Sequence, residues 1–262
     1  MIPQSDIIEW SNTISWQTNE QIEQDLMISR ALVEIFNDDF LANHLAFRGG
    51  TALHKLFIHP QPRYSEDIDL VQMHAEPIGE VLDRLRTVLA FLGKPKIEVG
   101  DMMAAMKFRV VSEIAPVVPL RLKIEINCRE HFAELGWKKT KYQVNSNWFQ
   151  GSCSLTTYKI EELLGTKVRA LYQRRKGRDL YDLYKALTMS EVNIDDMLYC
   201  FRKYMEFSVG KSITQKEFIL NMEGKMKDKF FKGDIVGLIR PDEVYDQEKA
   251  FFLIKKEVIE KM

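Results

Sequence analysis

The spacing of apolar residues divides this chain into predicted helices and strands. From Thr18 to residue 40, apolar side chains recur every three or four positions, which is typical of a packing helix, and Thr18 with Gln21 matches a capping box. Similar spacing predicts helices over 77–92, from 156 or 157 to 172, from 178 onward, and over 192–205, 214–229 and 243–261. Alternating or short apolar runs predict strands over 45–47, around Asp67 and Asp69, and over 96–99, 106–111 and 120–127.

The predicted strands lie in the first part of the chain, whereas the second part is helical. Periodicity is weak over 128–154, so we place a boundary near residue 150 and predict an α+β protein with domains at 1–150 and 151–262. The weak segment contains basic and aromatic residues that either stack on single-stranded nucleic acid or, as we favour, are buried in an inter-domain connection. These residues are Trp137, Lys138, Lys139, Lys141, Tyr142, Trp148 and Phe149.

Composition narrows the class of protein. The chain has 262 residues, 45% of them hydrophobic, and its 37 basic and 38 acidic side chains leave a formal net charge of -1. Any surface that binds nucleic acid must therefore be local. The cysteines number three, which is odd, and they lack the spacing of a zinc site; both observations favour a reducing compartment. Because neither a leader sequence nor a long apolar run is apparent, we expect a cytoplasmic protein without a membrane partner.

Two adjacent glycines mark a candidate anion site. Gly49 and Gly50 follow a predicted strand and begin a short predicted helix at 51–57, where free backbone N–H groups attract anions. A tight strand-to-helix turn explains the same pair without a ligand. Lys55 lies one helical turn after Thr51, so it either adds positive charge to the anion site or is exposed to solvent.

The loop that follows adds further candidates. Arg63 is suited to bidentate contact with a phosphate. His54 and His59 lack a histidine partner at metal-binding spacing, and we interpret both as loop or surface residues.

Two aspartates in the next strand form a candidate metal site. Asp67 and Asp69 are two residues apart, so they project from the same face of the strand. Such a carboxylate pair is costly unless a cation lies between the two groups, and oxygen ligands suit Mg²⁺ or Mn²⁺. Glu125 becomes a third carboxylate if its strand lies beside this one in an antiparallel sheet; alternatively, it pairs with Lys123 on a solvated face.

A pair of aspartates also occurs in the helical part. Asp179 and Asp182 are three residues apart and share a helix face, although Asp179 is also explained as a first-turn carboxylate favoured by the helix dipole. Asp182 lies among apolar residues, which is unusual for a surface helix. Lys167 lies at the edge of an apolar stripe, where its stem alone could cover the core while its ammonium group reaches water.

Several motifs occur along the chain in the same order as in a known family. They are GGTALHK at 49–55, RYSEDIDL at 63–70, KIEI at 123–126, EELLGTKVRAL at 161–171 and RDLYDL at 178–183. Together they resemble the AbiEii/AbiGii family of toxin nucleotidyltransferases, relatives of DNA polymerase beta that include the MenT toxins. The resemblance covers about residues 45–187. It implies a nucleotidyltransferase-type mixed sheet flanked by helices and followed by a helical C-terminal domain that completes the cleft.

The resemblance also implies roles at matching positions. Asp67, Asp69 and Glu125 match the metal ligands, although many nucleotidyltransferases have Asp where this chain has Glu125. Lys167 and Asp182 match the late lysine and aspartate of the catalytic motifs. The implied nucleotide-binding positions are Gly49, Gly50, Thr51, Lys55, Arg63, Ser65, Arg178 and Asp179.

The implied activity is transfer of a nucleoside monophosphate from an NTP to an acceptor hydroxyl with Mg²⁺ or Mn²⁺. By analogy with the family, the acceptor is RNA such as tRNA, and the partner is a cognate antitoxin. An RNA acceptor would need phosphate contacts, which we expect from the basic segments 138–141 and 174–178. The alternatives are transfer to a small molecule, as in antibiotic-type enzymes, and a non-catalytic module that binds a nucleotide or a partner.

Overall fold

Strands and helices segregate along the chain in the way that the apolar pattern predicts. The computed structural model describes residues 2–14 and 16–262. Its strands are β1 (Leu45–Arg48), β2 (Asp67–Gln72), β3 (Lys96–Val99), β4 (Met103–Val111), β5 (Pro119–Asn127), β6 (Trp137–Asn145) and β7 (Gln150–Tyr158). Its α-helices are α1 (Gln4–Ser11), α2 (Asn19–Asn37), α3 (Asp39–His44), α4 (Gly49–Leu56), α5 (Gly79–Val88), α6 (Ile160–Gln173), α7 (Gly177–Met189), α8 (Ile194–Val209), α9 (Gln215–Met226), α10 (Lys229–Gly233) and α11 (Gln247–Glu257). The predicted α+β class is confirmed.

All of these strands belong to one mixed sheet. Its strand order is β3-β4-β5-β2-β1-β7-β6. β2 pairs antiparallel with β1 and parallel with β5, and Asp69 lies opposite Arg48 on one side and Glu125 on the other. The expected antiparallel pairing of β2 with β5 is therefore wrong, although the two strands are neighbours. Alternation of charged and apolar residues indicates which face a side chain occupies, but it carries no information about strand direction.

The segment 128–154 is not an inter-domain connection. Instead, β6 and β7 form an antiparallel hairpin at one edge of the sheet, where Phe47 of β1 pairs in parallel with Thr157 of β7. The sheet therefore continues to Tyr158, and α6 begins two residues later. Thr156 and Thr157 lie in β7 rather than capping α6, whose N-cap residue is Lys159.

Capping side chains fix the ends of two predicted helices. Thr18 accepts a hydrogen bond from the backbone N–H of Gln21, as predicted, while the Gln21 side chain accepts one from the backbone N–H of Gln17. A complete capping box between Thr214 and Glu217 begins α9. None of the helices in the described ranges is both long and apolar enough to cross a bilayer.

Helix α4 connects two separate hydrophobic cores. Ala52 packs into the core around the sheet, whereas Leu53 and the following Ile58 pack into the core of the C-terminal helices. The glycine turn at the start of α4 is consequently held between the sheet and the helical part of the chain. This placement brings residues from both parts to one cleft.

Candidate active site

Asp67 and Asp69 project from one face of β2 into the cleft. The intervening Ile68 and the following Leu70 are buried, as alternation in a strand requires. Within the described ranges, neither aspartate side chain has a hydrogen-bond or ion-pair partner. Burial and the charge of Asp69 raise the pKa of Asp67 to about 7, and burial and the charge of Glu125 raise the pKa of Asp69. The pair is therefore poorly compensated and favours a bound cation.

The glycine turn lies directly against this pair. Gly49 has φ of 78°, and a Cβ atom added there would lie 2.0 Å from Oδ2 of Asp69. A Cβ atom on Gly50 would lie 2.5 Å from Nη2 of Arg63. Both glycines are required by close approach, and Gly49 also by its backbone conformation. Gly49 and Gly50 therefore both permit the tight strand-to-helix turn and form part of the candidate site.

Hydroxyl groups connect the turn to the start of β2. The hydroxyl of Thr51 lies 2.8 Å from the hydroxyl of Ser65 and donates a hydrogen bond to the backbone carbonyl of Asp67. Thr51 is buried, while Ser65 lines the cleft. Thr51 thus fixes the position of α4 relative to the aspartates.

Glu125 is close to the aspartates but already has a partner. Lys123 Nζ lies 2.7 Å from Oε1 of Glu125. Among the residues of the described ranges, no group of three His, Cys, Asp or Glu side chains is arranged to hold a metal ion. The donor chemistry of Asp67 and Asp69 nevertheless suits Mg²⁺, because both are carboxylates and both lack other partners in the described part of the chain. The fit is therefore to a two-carboxylate site, and a role for Glu125 as third ligand stays a prediction.

Helices α6 and α7 bring Lys167 to two buried carboxylates. Lys167 Nζ lies 2.9 Å from Oδ2 of Asp182 and 3.2 Å from Oδ1 of Asp179. Lys167 is only 7% exposed and both aspartates are 0% exposed, so its ammonium group is not in bulk water. Arg174 donates two hydrogen bonds to Asp179, of 2.6 and 2.7 Å. Burial alone would raise the pKa of Asp179, but Lys167 and Arg174 outweigh it and lower that pKa.

Asp182 is the centre of a second set of contacts. Arg63 donates two hydrogen bonds to it, of 2.6 and 2.8 Å, and His54 Nε2 lies 2.9 Å from its Oδ1. Burial raises the pKa of Asp182, but the charges of Arg63 and Lys167 lower it well below its usual value. Arg63 therefore makes its bidentate contact with Asp182 rather than with a phosphate, although it also lines the cleft.

Two basic candidates lie elsewhere than expected. Lys55 is buried, and its Nζ lies 3.0 Å from Oδ2 of Asp25 and 3.0 Å from Oγ of Ser29, both in α2. This ion pair replaces the anion contact that its helical spacing suggests. His54 is also buried rather than on the surface, whereas His59 is exposed as expected. Spacing along a short helix did not reveal which neighbouring element each side chain would meet.

Arg178 lies at the mouth of the cleft. Its Nε lies 3.1 Å from Oδ2 of Asp234, and its side chain remains 25% exposed. Lys176 also contacts Asp234, at 3.3 Å. One carboxylate thus holds both cations beside the cleft.

Two connected cavities surround these residues. One, of about 240 Å³, is lined by Asp67 and Asp69 on one side and by Lys167, Arg174 and Arg178 on the other. The second, of about 350 Å³, shares Gly50, Asp69, Glu125, Lys167 and Arg174 with it. A space therefore separates a carboxylate wall from a cationic wall, which suits an anionic ligand that carries a metal ion.

A largely buried charge triplet, two of whose members line the second cavity, was not identified from the sequence. Glu130 lies between Arg48 and Arg169; Arg48 Nη1 is 2.6 Å from its Oε2, and Arg169 contacts its other oxygen. Burial raises the pKa of Glu130, but the two guanidinium groups outweigh it and hold the pKa at about 2. Arg48 directly precedes Gly49 in sequence, yet no spacing rule connects it with residues 130 and 169.

Comparison with known proteins identifies the fold. The chain is similar to the MenT4 nucleotidyltransferase toxin of Mycobacterium tuberculosis, with a TM-score of 0.70, 14% identity, and coverage of 100% of this chain and 91% of that one. It is also similar to JHP933 of Helicobacter pylori, with a TM-score of 0.53, 17% identity, and coverage of 92% and 90%. A third similar structure is a putative nucleotidyltransferase of H. pylori, with a TM-score of 0.53, 18% identity, and coverage of 92% of this chain and 93% of that one. No curated protein sequence matches the chain.

A family model gives the more specific result. The model, described as nucleotidyl transferase AbiEii toxin of a type IV toxin–antitoxin system, matches residues 30–251. This range includes the glycine turn, the paired aspartates and both helices of the Lys167 network. The chain therefore belongs to the AbiEii family of nucleotidyltransferase toxins.

Proposed function

We propose that this protein transfers a nucleoside monophosphate from an NTP to a hydroxyl group of RNA, with Mg²⁺ or Mn²⁺ bound by Asp67 and Asp69. The observation that carries the proposal is that two carboxylates without side-chain partners in the described ranges lie against the glycine turn and line one cavity with Lys167 and Arg174. Transfer of a nucleotidyl group needs both walls, because a triphosphate is anionic and its metal ion requires oxygen ligands. Family membership supports the same activity.

The residues of the cleft have different roles in the proposed reaction. Bound to Asp67 and Asp69, the metal ion would neutralise charge at the α-phosphate as the acceptor oxygen bonds to phosphorus and pyrophosphate leaves. Lys167 and Arg174 lie where they can stabilise the negative charge of the triphosphate. Asp182 holds Lys167 in position and is itself oriented by Arg63. Gly49 and Gly50 let the backbone of the turn approach Asp69 and Arg63 closely.

Other predicted residues have supporting roles in this proposal. Thr51 and Ser65 position the turn, Asp179 aligns Lys167 with Arg174, and Arg178 extends the cationic wall. Glu125 is kept as a candidate third ligand that must first exchange Lys123 for the metal ion. Lys55 has no proposed contact with the nucleotide, because it is paired with Asp25.

The biological role that we propose is growth inhibition controlled by a cognate antitoxin, with tRNA as one suitable RNA acceptor. Expression of the wild-type chain should arrest growth of a bacterial host, and Asp69→Asn should not. Growth arrest that persists with Asp69→Asn would contradict a toxic effect caused by nucleotidyl transfer. Rescue by the product of a neighbouring gene would identify the antitoxin.

The central test is transfer of label in vitro. Each α-phosphate-labelled NTP is incubated with the protein, Mg²⁺ and total cellular RNA, and the label in RNA is measured. We expect one NTP to label RNA with wild-type protein, while Asp69→Asn lowers transfer by about a thousandfold or more. The variant should fold with equal or higher stability, because it removes one of two repelling carboxylates. Label found only in small-molecule products would favour the antibiotic-type alternative.

A further inference from the structure

A large basic groove lies on the exposed face of strands β3, β4 and β5. Its volume is about 780 Å³. Six cations and three carboxylates line it. The cations are Lys94, Lys96, Lys107, Arg109, Arg121 and Lys123, and the carboxylates are Glu66, Asp67 and Glu98. The chain has a net charge of -1 overall, so this concentration of positive charge is local.

Strand register places like charges directly opposite each other in this groove. Lys96 pairs with Lys107, Lys107 pairs with Lys123, and Lys123 pairs with Asp67, which gives one row across four strands. At about 4.8 Å for each strand step, the row is about 14 Å long. Like charges directly opposite on adjacent strands are destabilising, and here Glu98 and Glu125 offset the charges of the three lysines.

A second like-charge pair lies in the next part of the groove. Arg109 is directly opposite Arg121, and both side chains are exposed. Within the described ranges, neither guanidinium group has an ion-pair partner. By contrast, Glu98 contacts both Lys96 and Lys107. The two arginines thus remain available for an anionic ligand.

The groove leads directly to the candidate active site. Glu66, Asp67 and Lys123 line both the groove and the 240 Å³ cavity of the cleft. Lys167 and Arg174, in contrast, line the cleft and the further 350 Å³ cavity but not the groove. A polyanion in the groove would therefore approach the metal-binding aspartates from the side away from the triphosphate cations.

We infer that this groove binds the phosphate backbone of the acceptor strand and directs its terminal hydroxyl group toward Asp67. The inference rests on the proposed nucleotidyl transfer and adds the surface that holds the acceptor. The ligand class is a nucleic-acid strand with a terminal hydroxyl group. The aromatic residue that lines the groove, Phe108, is 1% exposed, so contacts are to phosphates rather than to stacked bases.

The groove differs from the surfaces that sequence alone suggested. Lys138, Lys139 and Lys141 lie on β6, at the opposite edge of the sheet from β3. The segment 174–178 lines the cleft, where Arg174 and Arg178 face the aspartates. Neither segment contributes to the groove, so the two surfaces can be tested separately.

The test compares two double variants of the full-length protein. Arg109→Gln/Arg121→Gln removes two groove cations that have no ion-pair partner in the described ranges, and Lys211→Gln/Lys216→Gln removes two exposed cations of the helical part as a matched control. Binding of a fluorescent RNA of roughly 12 nucleotides is measured from low to high salt. A DNA strand of the same sequence is measured in parallel, because both carry the same phosphate charge.

We expect the arginine variant to bind RNA about tenfold more weakly at low salt. The slope of the logarithm of the binding constant against the logarithm of the salt concentration should be smaller in magnitude by about 0.7 for each phosphate that no longer contacts an arginine. The control variant should keep the wild-type slope, and the melting temperature of the arginine variant should not fall, because a like-charge pair has been removed. KM for RNA should rise while kcat stays unchanged. Equal weakening of RNA and DNA would assign the groove to phosphate binding, and weakening of RNA alone would add the 2′ hydroxyl group.

The outcome separates this inference from the proposed function. If wild-type protein labels RNA but the arginine variant keeps the wild-type salt slope and KM, the groove inference is wrong and the transferase proposal stands. If wild-type protein labels no RNA but the arginine variant alone loses RNA affinity, the groove is supported and the transferase proposal fails. An arginine variant that loses only an acidic protein partner would also overturn the inference.

Discussion

At the scale of single residues, Gly49 and Asp69 are mutually dependent. The carboxylate of Asp69 occupies the space that any side chain at position 49 would need, and φ of Gly49 is 78°. The same backbone turn ends β1 and begins α4. A substitution at this position should consequently affect the site and the local backbone together.

Gly49→Ala should lower both activity and stability. Its positive φ costs about 1–2 kcal/mol for an alanine, and an approach of 2.0 Å to Asp69 forces a displacement. A displacement of the metal-binding carboxylate should lower nucleotidyl transfer roughly a hundredfold. Transfer rate and thermal unfolding measure the two effects.

Gly79→Ala is the matched control. Gly79 begins α5, and an added Cβ atom there would have no neighbour within 4 Å. Its stability should be unchanged or higher by up to about 1 kcal/mol. A similar loss of activity in both variants would show that the close approach to Asp69 is irrelevant.

Lys167→Ala should lower transfer by about two orders of magnitude or more, because it removes a cation that faces the triphosphate. If its ammonium group reached water, as the sequence left open, the substitution would cost little stability. The structure changes that expectation: Lys167 bridges two aspartates that are 0% exposed. Arg174 and Arg63 still neutralise them, so a decrease of about 1–3 kcal/mol in the free energy of urea unfolding is expected. Wild-type transfer by the folded variant would refute the assignment.

The sequence predicted a large part of the site. It gave the Lys123–Glu125 pair as one of two alternatives, and that pair is present, but it did not predict most of the other side-chain pairs. Alternation in β2 placed Asp67 and Asp69 on one face, and motif order brought Lys167 and Asp182 together with them. Side-chain partners such as Asp25 for Lys55 depend on how distant elements pack, which local spacing does not encode. For the same reason, Glu130 was missed between its two arginines.

At the scale of elements, the start of α7 is fixed by a backbone contact. A Cβ atom on Gly177 would lie 2.1 Å from the backbone oxygen of Phe231 in α10. This close approach places Asp179 and Asp182 at the depth where Lys167 reaches both. The glycine is therefore a spacer between two helices rather than a source of flexibility.

Gly177→Ala should separate α7 from α10 and destabilise the protein by roughly 1–3 kcal/mol. Transfer should fall together with stability, because the Lys167 network moves with α7. Gly233→Ala, for which an added Cβ atom has no neighbour within 4 Å, should have little effect on either property. An unchanged melting temperature for Gly177→Ala would show that α10 adjusts without cost.

Prediction of elements succeeded where one apolar face is buried and failed in the hairpin. Strand β5, whose apolar residues are buried, was predicted to within one residue of its observed limits, and the helices at 19–37 and 215–226 lie within their predicted ranges. Strand β6 does alternate, with Lys139, Lys141 and Gln143 exposed and Thr140, Tyr142 and Val144 partly or fully buried. Only two of its inward residues, Tyr142 and Val144, are apolar, so the pattern of apolar residues identifies this strand weakly.

At the scale of the whole molecule, Glu130 connects the sheet to the helical part. Its partners are Arg48 at the end of β1 and Arg169 in α6. All three side chains are largely buried, at 6%, 11% and 13% exposure for Glu130, Arg48 and Arg169. Removal of the central carboxylate would leave two buried guanidinium groups near each other.

Glu130→Gln should cost up to about 3 kcal/mol at pH 7. The folded pKa of Glu130 is about 2, compared with 4.5 ordinarily, so its stabilisation is complete above pH 4.5 and disappears as pH falls toward 2. The difference between wild type and variant in urea unfolding should therefore shrink on acidification from about pH 5 to 3. A difference that is constant over this range would show that the substitution acts through packing and not through charge.

The lysines of β6 have a consequence for the behaviour of the protein at high concentration. β6 ends the sheet on one side, so one row of its backbone N–H and C=O groups has no strand partner within the sheet. Unprotected edges of this kind template intermolecular pairing and aggregation, and lysine side chains discourage it. Lys139 and Lys141 project from the same face of this strand, and both are exposed. The residues that sequence reasoning assigned to RNA thus carry the kind of charge that discourages edge-to-edge pairing between copies of the sheet.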